Sequence, residues 1–312
     1  MRISGKYIDL KGGSGIIKII NGVFDIKMKR RKKMRMNGSA MYSMIGINNF
    51  NYRRYSFDFF LDSVNRLGIK HVELCGCHPH FTVYEHKNFP VREMAEKIKN
   101  HEITVSAVMP EQNFLPVNIA AVNEYLRKQS VEQMKFYIEN AKAFDCDKVI
   151  IYPGKAFMNY PPSEAWKRSR QSLAELCEFA KKYEVNVLLE GVSNFISSLM
   201  TDSNTVKQMM DEVGADNLKC CVNSCTAYYA KETLEDYFKI FGDKIEMVQL
   251  SDSVPDNDQL VWGEGEQDFR YHMSVLEKYE YKGAVTMELN MEEYAEDPEK
   301  YYGESLAYMK NL

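Results

Sequence analysis

VIIYPGKAFMNYPPSEAWKRSRQSLAELCEFAKKYEVNVLLE, residues 149–190, is the stretch that decides the fold. It opens and closes on short apolar runs, Val149-Ile150-Ile151-Tyr152 and Val187-Leu188-Leu189-Glu190. Continuous apolar runs of this length indicate strands buried on both faces, as in a parallel sheet. Between them a helix is expected to open near Ser163-Glu164, with Trp166, Leu173, Leu176, Phe179 and Ala180 on its apolar side. Parallel neighbours need a crossover of this kind, and such crossovers are right-handed.

The same unit recurs on either side. Upstream lie Met44-Ile45-Gly46-Ile47, His71–Cys75 and Ile103–Val108. Downstream lie Leu218–Asn223, Ile245–Leu250 and Ala284–Leu289. Helices are expected between them. The first carries Phe57, Phe60, Leu61, Val64 and Leu67 and stops at Gly68. A short one surrounds Met94–Ile98. A long one is expected from about Val117 to Phe144, with Ile119, Val122, Leu126, Val131, Met134 and Ile138 as its stripe. The later ones begin near Asp202 or Ser203, around Leu234, around Phe269 and at Asp297-Pro298, an N-cap followed by a first-position proline. Eight strand–helix pairs in this order predict an α/β protein closed as a (β/α)8 barrel. An open doubly wound sheet would usually carry a glycine-rich phosphate turn after a strand, and no G-x-G-x-x-G or P-loop stands there.

The chain has 312 residues, enough for one barrel of about 250. No run of about 18 apolar residues exists, so no membrane span is expected. The basic N-terminal residues follow a mildly apolar segment instead of preceding it, unlike a signal peptide. The seven cysteines are odd in number and scattered, which suits a reducing, cytoplasmic setting. Cys75-Gly76-Cys77 and Cys220-Cys221 lack zinc-finger spacing, so all seven are read as buried small residues.

Charge divides the chain. Residues 1–40 hold 11 Lys and Arg against 2 Asp and Glu, a net +9. The total of −4 therefore leaves −13 for the remainder. Seven of the nine residues from Lys27 to Arg35 are basic. That run alone would fit nucleic acid or anionic lipid, but the acidic body argues against a nucleic-acid partner. Residues 1–40 are expected to be a basic extension, with 41–312 as the barrel. Ile16–Ile20 and Val23–Ile26 flank Asn21-Gly22 as a hairpin would. Met34, Met36 and Met41 are alternative starts, so the extension is also open to being upstream sequence that native translation does not use.

In such a barrel the chemistry sits at the C-terminal ends of the strands. The polar residues expected there come from Cys77-His78-Pro79-His80-Phe81, Pro110-Glu111-Gln112-Asn113, Glu190, Asn223, Gln249 to Asp252, and Glu288-Leu289-Asn290. Glu190 and Glu288 each end an otherwise apolar strand. A carboxylate there costs free energy unless it is paired or bound to a cation. A helix cap or a lysine partner would account for either one alone. Two facing one small molecule suit proton abstraction on one face of a carbon and return on the other. A divalent metal between them would polarise a carbonyl and hold an enediolate.

At these residues the chain resembles the xylose-isomerase-like barrels, in particular the ketose 3-epimerases and the fructoselysine 3-epimerase branch. The resemblance runs from about Met44 to the C-terminus. It is carried by Leu189-Glu190-Gly191, Val222-Asn223-Ser224-Cys225, Asp243-Lys244-Ile245, Gln249-Leu250-Ser251-Asp252-Ser253, Trp262-Gly263-Glu264-Gly265 and Thr286-Met287-Glu288. It implies a sugar isomerase or epimerase holding Mn, Co or Mg on a Glu, an Asp, a His and a second Glu. Those positions fall on Glu190, Asn223, Gln249 and Glu288, so the acid is an amide at Asn223 and the imidazole an amide at Gln249. Amide carbonyls can ligate hard cations, but the exchange weakens the site or empties it. A second substrate-binding Glu of the family is Ile196 here.

Further substrate contacts are expected from His78 and His80, with either as an alternative general base. Glu111 and Asp252 are expected to orient ligands, while Trp262, Phe81 and Glu264 flank the sugar or, for the two aromatic residues, simply pack. The Tyr-rich tail, Tyr294 to Tyr308, reads as interface or outer-helix surface. Three functions follow. One is a metal-assisted epimerase acting on a ketose or sugar conjugate. Another is a subunit of a C-glycoside deglycosidase for 3-oxo-sugars, with a small β-rich partner. The last is a sugar-binding pseudo-enzyme. The resemblance also implies a homo-oligomer, dimer or tetramer.

Overall fold

The computed structural model describes residues 8–9, 15–20, 23–28, 44–82, 89–112 and 117–312. Eight parallel strands close a barrel: β1 (Ile45–Asn48), β2 (His71–Gly76), β3 (Thr104–Pro110), β4 (Lys148–Ile151), β5 (Asn186–Glu190), β6 (Leu218–Asn223), β7 (Ile245–Leu250) and β8 (Ala284–Met287). Each pairs with its successor, and β8 returns to β1 with Val285 beside Ile45. Helices α1 (Phe57–Arg66), α2 (Val91–Asn100), α3 (Glu124–Ala141), α4 (Pro162–Lys181) and α5 (Ser203–Val213) follow β1 to β5 in turn. After β6 come a short α6 (Ser224–Tyr229) and α7 (Leu234–Phe241). After β7 and β8 come α8 (Phe269–Lys278) and α9 (Pro298–Lys310).

Strand side chains alternate across the sheet, and the two sets have different partners. The outward set, including Val72, Leu74, Val108, Val149, Ile151, Val187, Leu189 and Val222, packs with the helices into the main core. The inward set, including Cys75, Ala107, Met109, Ile150, Leu188, Cys221 and Met247, forms a separate small cluster filling the barrel. Glu73, Glu190, Asn223 and Gln249 share the inward parity, so the strand register delivers them to the barrel axis. All seven cysteines are buried and unbridged.

Local chemistry sets the helix limits. Asp202 caps α5 in a reciprocal box with Thr205, and Gly214 ends it in the left-handed region, φ 63°. The helix expected from Val117 begins instead at Glu124. The Asn123 side-chain oxygen accepts the Tyr125 and Leu126 N–H groups and starts it there. Val117, Ile119 and Ala120 are buried in an irregular segment before it, and Asn118 Oδ1 holds that segment by accepting from Ala120 N and Lys155 N. Val122 and Leu126 are therefore exposed rather than part of the buried stripe. The tyrosine tail is also partly core: Tyr294 and Tyr302 are buried.

The chain divides into two compact units, residues 1–37 and 38–312. In the first, Ile8–Asp9, Gly15–Ile20 and Val23–Met28 form a three-stranded antiparallel sheet, with Ile20 opposite Val23. Asn21-Gly22, the basic run beyond Met28, and the alternative starts Met34, Met36 and Met41 lie outside the described residues, as does Asn113. Among the described residues no helix is long and apolar enough to cross a membrane.

Candidate active site

A cavity of about 450 Å³ opens at the C-terminal end of the barrel, and Glu190, Asn223 and Glu288 lie in its wall. Glu190 is the last residue of β5 and Asn223 the last of β6. Gln249 is the penultimate residue of β7, and Glu288 directly follows β8. Asn223 joins them. Its Nδ2 donates to Glu288 Oε2 at 2.9 Å, to Gln249 Oε1 at 3.2 Å and to Glu190 Oε1 at 3.3 Å. Its Oδ1 faces away and accepts the main-chain N–H groups of Cys225 at 2.9 Å and Thr226 at 3.4 Å, capping α6. Two fixed donors on one side determine which end of the amide is oxygen.

Gln249 is fully buried and spent in the same way. Its Nε2 donates to Glu73 Oε2 at 3.0 Å, while Cys221 Sγ and Asn223 Nδ2 both donate to its Oε1. A polar string thus runs along the barrel axis from Glu73 through Gln249 and Asn223 to the paired glutamates. Gln259 closes it from above, donating from Nε2 to Glu288 Oε2 at 2.6 Å.

Burial and mutual repulsion disfavour ionising all three of these carboxyl groups together. Burial first, then the charges of Glu288 and Glu73, push Glu190 well above the ordinary carboxyl range. Burial, then the charge of Glu288, raises Glu73 to about 8. Burial raises Glu288 to about 7, against the lowering effect of its hydrogen bonds from Gln259 and Asn223. Glu288 collects two N–H donors on one oxygen, whereas Glu190 Oε2 has none. The negative form is therefore better supported at Glu288, and the proton at Glu190.

The donor set does not fit a divalent cation. Among the described residues no three His, Cys, Asp or Glu side chains converge as a metal site. Asn223 and Gln249 were candidate ligands through their carbonyl oxygens. Both oxygens are already engaged, and Asn223 turns its N–H2 toward the carboxylates.

The other expected contacts separate into two groups. Glu111 lines the cavity, as does Ile196, where the resemblance placed a second glutamate. His78, His80, Asp252, Trp262 and Glu264 are not among the lining residues. His78 is exposed. His80 is buried between Asn49 Nδ2 at Nδ1 and the Tyr55 carbonyl at Nε2, and burial lowers its pKa, so it is a neutral tether. Asp252 accepts four main-chain N–H groups, from Ser253, Gly263, Gly265 and Gln267, at 2.8–2.9 Å. Trp262 packs against Phe269 and His272, and Phe81 is in the core. Exposed Glu264 accepts from Tyr294 OH. Two members of this network, buried Glu73 and half-buried Gln259, are not marked by the sequence. Glu73 stands inside a strand rather than at its end. Gln259 belongs to a hairpin, Asp252–Val254 with Asn257–Leu260, that no apolar pattern marks.

A closed parallel barrel with alternating helices and two buried glutamates at its C-terminal mouth is a (β/α)8 barrel. Residues 61–312 match the xylose isomerase-like TIM barrel description, and the chain belongs to that family. It is 25% identical over 262 residues to the fructoselysine 3-epimerase of Shigella flexneri, covering 84% of this chain and 95% of that one. It is also 25% identical to the inosose isomerase of Bacillus velezensis over 218 residues, 67% of this chain and 75% of the relative. The solved 3-keto-D-glucoside 4-epimerase of E. coli superposes with a TM-score of 0.72 at 16% identity, over 86% of this chain and 99% of that one.

Proposed function

We propose that the protein is a carbohydrate epimerase or isomerase that moves a proton at the carbon beside a carbonyl of a ketose or sugar conjugate. The observation that carries this is the convergence of Glu190 and Glu288 on one amide in the wall of one cavity. The relatives that are epimerases and isomerases of sugars and a cyclic polyol ketone agree with it. Glu288, as carboxylate, takes the C–H proton and becomes the acid. The electron pair passes to the carbonyl oxygen and gives an enediolate. Glu190, holding its proton, returns one to the opposite face, or, with the hydroxyl proton passing from one oxygen to the other, to the neighbouring carbon, and becomes the carboxylate. The pair gains and loses one proton, so the site's total charge is constant through the step. General acid and base groups work best with pKa values near the operating pH, and burial moves both carboxyls upward in that direction.

The test is turnover of a panel of ketoses, inososes and fructosamine conjugates in deuterated water. A substrate should exchange one hydrogen and give the epimer or isomer. Glu190→Gln and Glu288→Gln should each lower kcat by roughly 10²-fold or more, with the melting temperature kept. Full activity in Glu190→Gln would remove the assignment. Binding without exchange across the panel would leave a sugar-binding pseudo-enzyme.

A further inference from the structure

We propose that the side-chain amide of Asn223 takes the place of a divalent cation between Glu190 and Glu288, and that the site works without bound metal. The inference rests on the acid/base reading above only in treating those two glutamates as the working pair.

The geometry is specific. Asn223 is the last residue of β6 and the N-cap of α6, so its Cα position and its oxygen are both set by main chain. With Oδ1 held by the Cys225 and Thr226 N–H groups, Nδ2 has one direction left. That direction brings it within 3.3 Å of oxygens from β5, from β7 and from the residue after β8. A partial positive charge therefore sits at the convergence point of the acids, where a cation would otherwise balance them. Gln249 holds it there, since its oxygen accepts from Asn223 and its nitrogen is committed to buried Glu73.

A metal ion could enter only by displacing this nitrogen. Turning the Asn223 amide to offer its oxygen would aim N–H2 at two main-chain N–H donors, leaving all of them unmatched in a buried site. Gln249 would have to give up its hydrogen bond from Asn223 or the one to Glu73. Two neutral amides also supply no charge, whereas hard divalent ions are held mainly by carboxylates. The two exchanges belong together. An amide at position 249 accepts the hydrogen that an amide at position 223 donates.

The experiment measures metal, not turnover, so its outcome is separate from that of the epimerase assay. The full chain is purified without chelator, its metal content is measured, and its melting is followed with and without Mn(II), Co(II) or Mg(II) at about 1 mM. The expected result is well below one equivalent of metal and no shift in melting temperature. The variant Asn223→Asp/Gln249→His restores an acid and an imidazole, and should gain a melting temperature rise of several degrees with Mn(II). Near-stoichiometric Mn or Co in the wild type, or a wild-type shift as large as that of the variant, would overturn the proposal. A folded double variant indifferent to Mn(II) would overturn it too, because the amides would then not be what excludes the cation. If the double variant does not fold, wild-type metal content and melting decide alone.

Discussion

Glu73 is a carboxyl group with no exposed surface, one oxygen bound to Gln249 and the other without a partner. In the unfolded chain it loses its proton in the ordinary carboxyl range. In the fold, burial and then the charge of Glu288 hold the proton up to about 8. Between those limits the native state binds more protons than the unfolded one. Its contribution to stability is therefore complete below the ordinary range and is lost as pH rises through about 8. Glu190 and Glu288 are displaced in the same direction. The melting temperature should accordingly fall between pH 5 and pH 9. Glu73→Gln should flatten that fall and stabilise the protein at pH 8 by on the order of 2 kcal/mol. An unchanged slope in the variant would show that Glu73 is not the group responsible. At this scale Glu190 and Glu288 were legible because a carboxylate ending an apolar run is an anomaly that asks for a partner. Glu73 was legible as strand but not as site. Its inward direction follows from a register that pairs Glu73 with Ala107, which no single strand reveals. The orientation of Asn223 was likewise hidden, because it depends on two main-chain N–H groups of the helix it caps.

The hairpin and loop from Asp252 to Gln267 show what elements add. Gln259 reaches Glu288 only because this segment folds back over the barrel mouth, and Asp252 is its organiser. One carboxylate gathers four main-chain N–H groups that would otherwise be unmatched. Gly263 adopts φ 101°, and a Cβ on Gly265 would lie 2.3 Å from Asp252 Oδ1, so neither position admits another residue without rearrangement. Glu264 reads from sequence as a substrate contact, yet the glycines on either side of it serve the closeness of this loop to Asp252. Asp252→Ala should cost about 1–3 kcal/mol in urea unfolding. It should also raise KM and lower kcat together, since Gln259 loses its position on Glu288. An unaltered KM with the stability loss intact would confine Asp252 to folding. Helix limits divide on the same physical line. Asp202 and Asp297 announce their helices because each stands just before an apolar stripe. Asn123 does so inside a continuous apolar pattern, whose earlier members Val117 and Ile119 are buried by a loop held on Asn118.

The eightfold strand–helix alternation was legible across the whole molecule because strands covered on both faces must be apolar throughout, and parallel closure leaves one arrangement of them. Charge at that scale bears on the substrate. The chain after residue 40 carries a net −13. Among the described residues lining the cavity, Glu111, Glu190, Asp256, Asp258 and Glu288 face a single basic side chain, Lys155. Even with protons retained on the buried pair, the mouth presents a negative field to whatever approaches. A phosphorylated or carboxylated sugar would bring like charge into a low-dielectric cavity and would be rejected there. A neutral ketose, or a conjugate bearing an amine, meets no such barrier, and a cationic one is drawn in. Between a ketohexose and its phosphate ester, kcat/KM should therefore favour the neutral sugar by about 10-fold or more. The preference should narrow as salt is raised from low to molar concentration, because screening acts on exposed Asp256 and half-buried Asp258 at the mouth more than on the buried pair. Equal turnover of the two sugars at low salt would mean that Lys155 alone sets the charge the substrate meets.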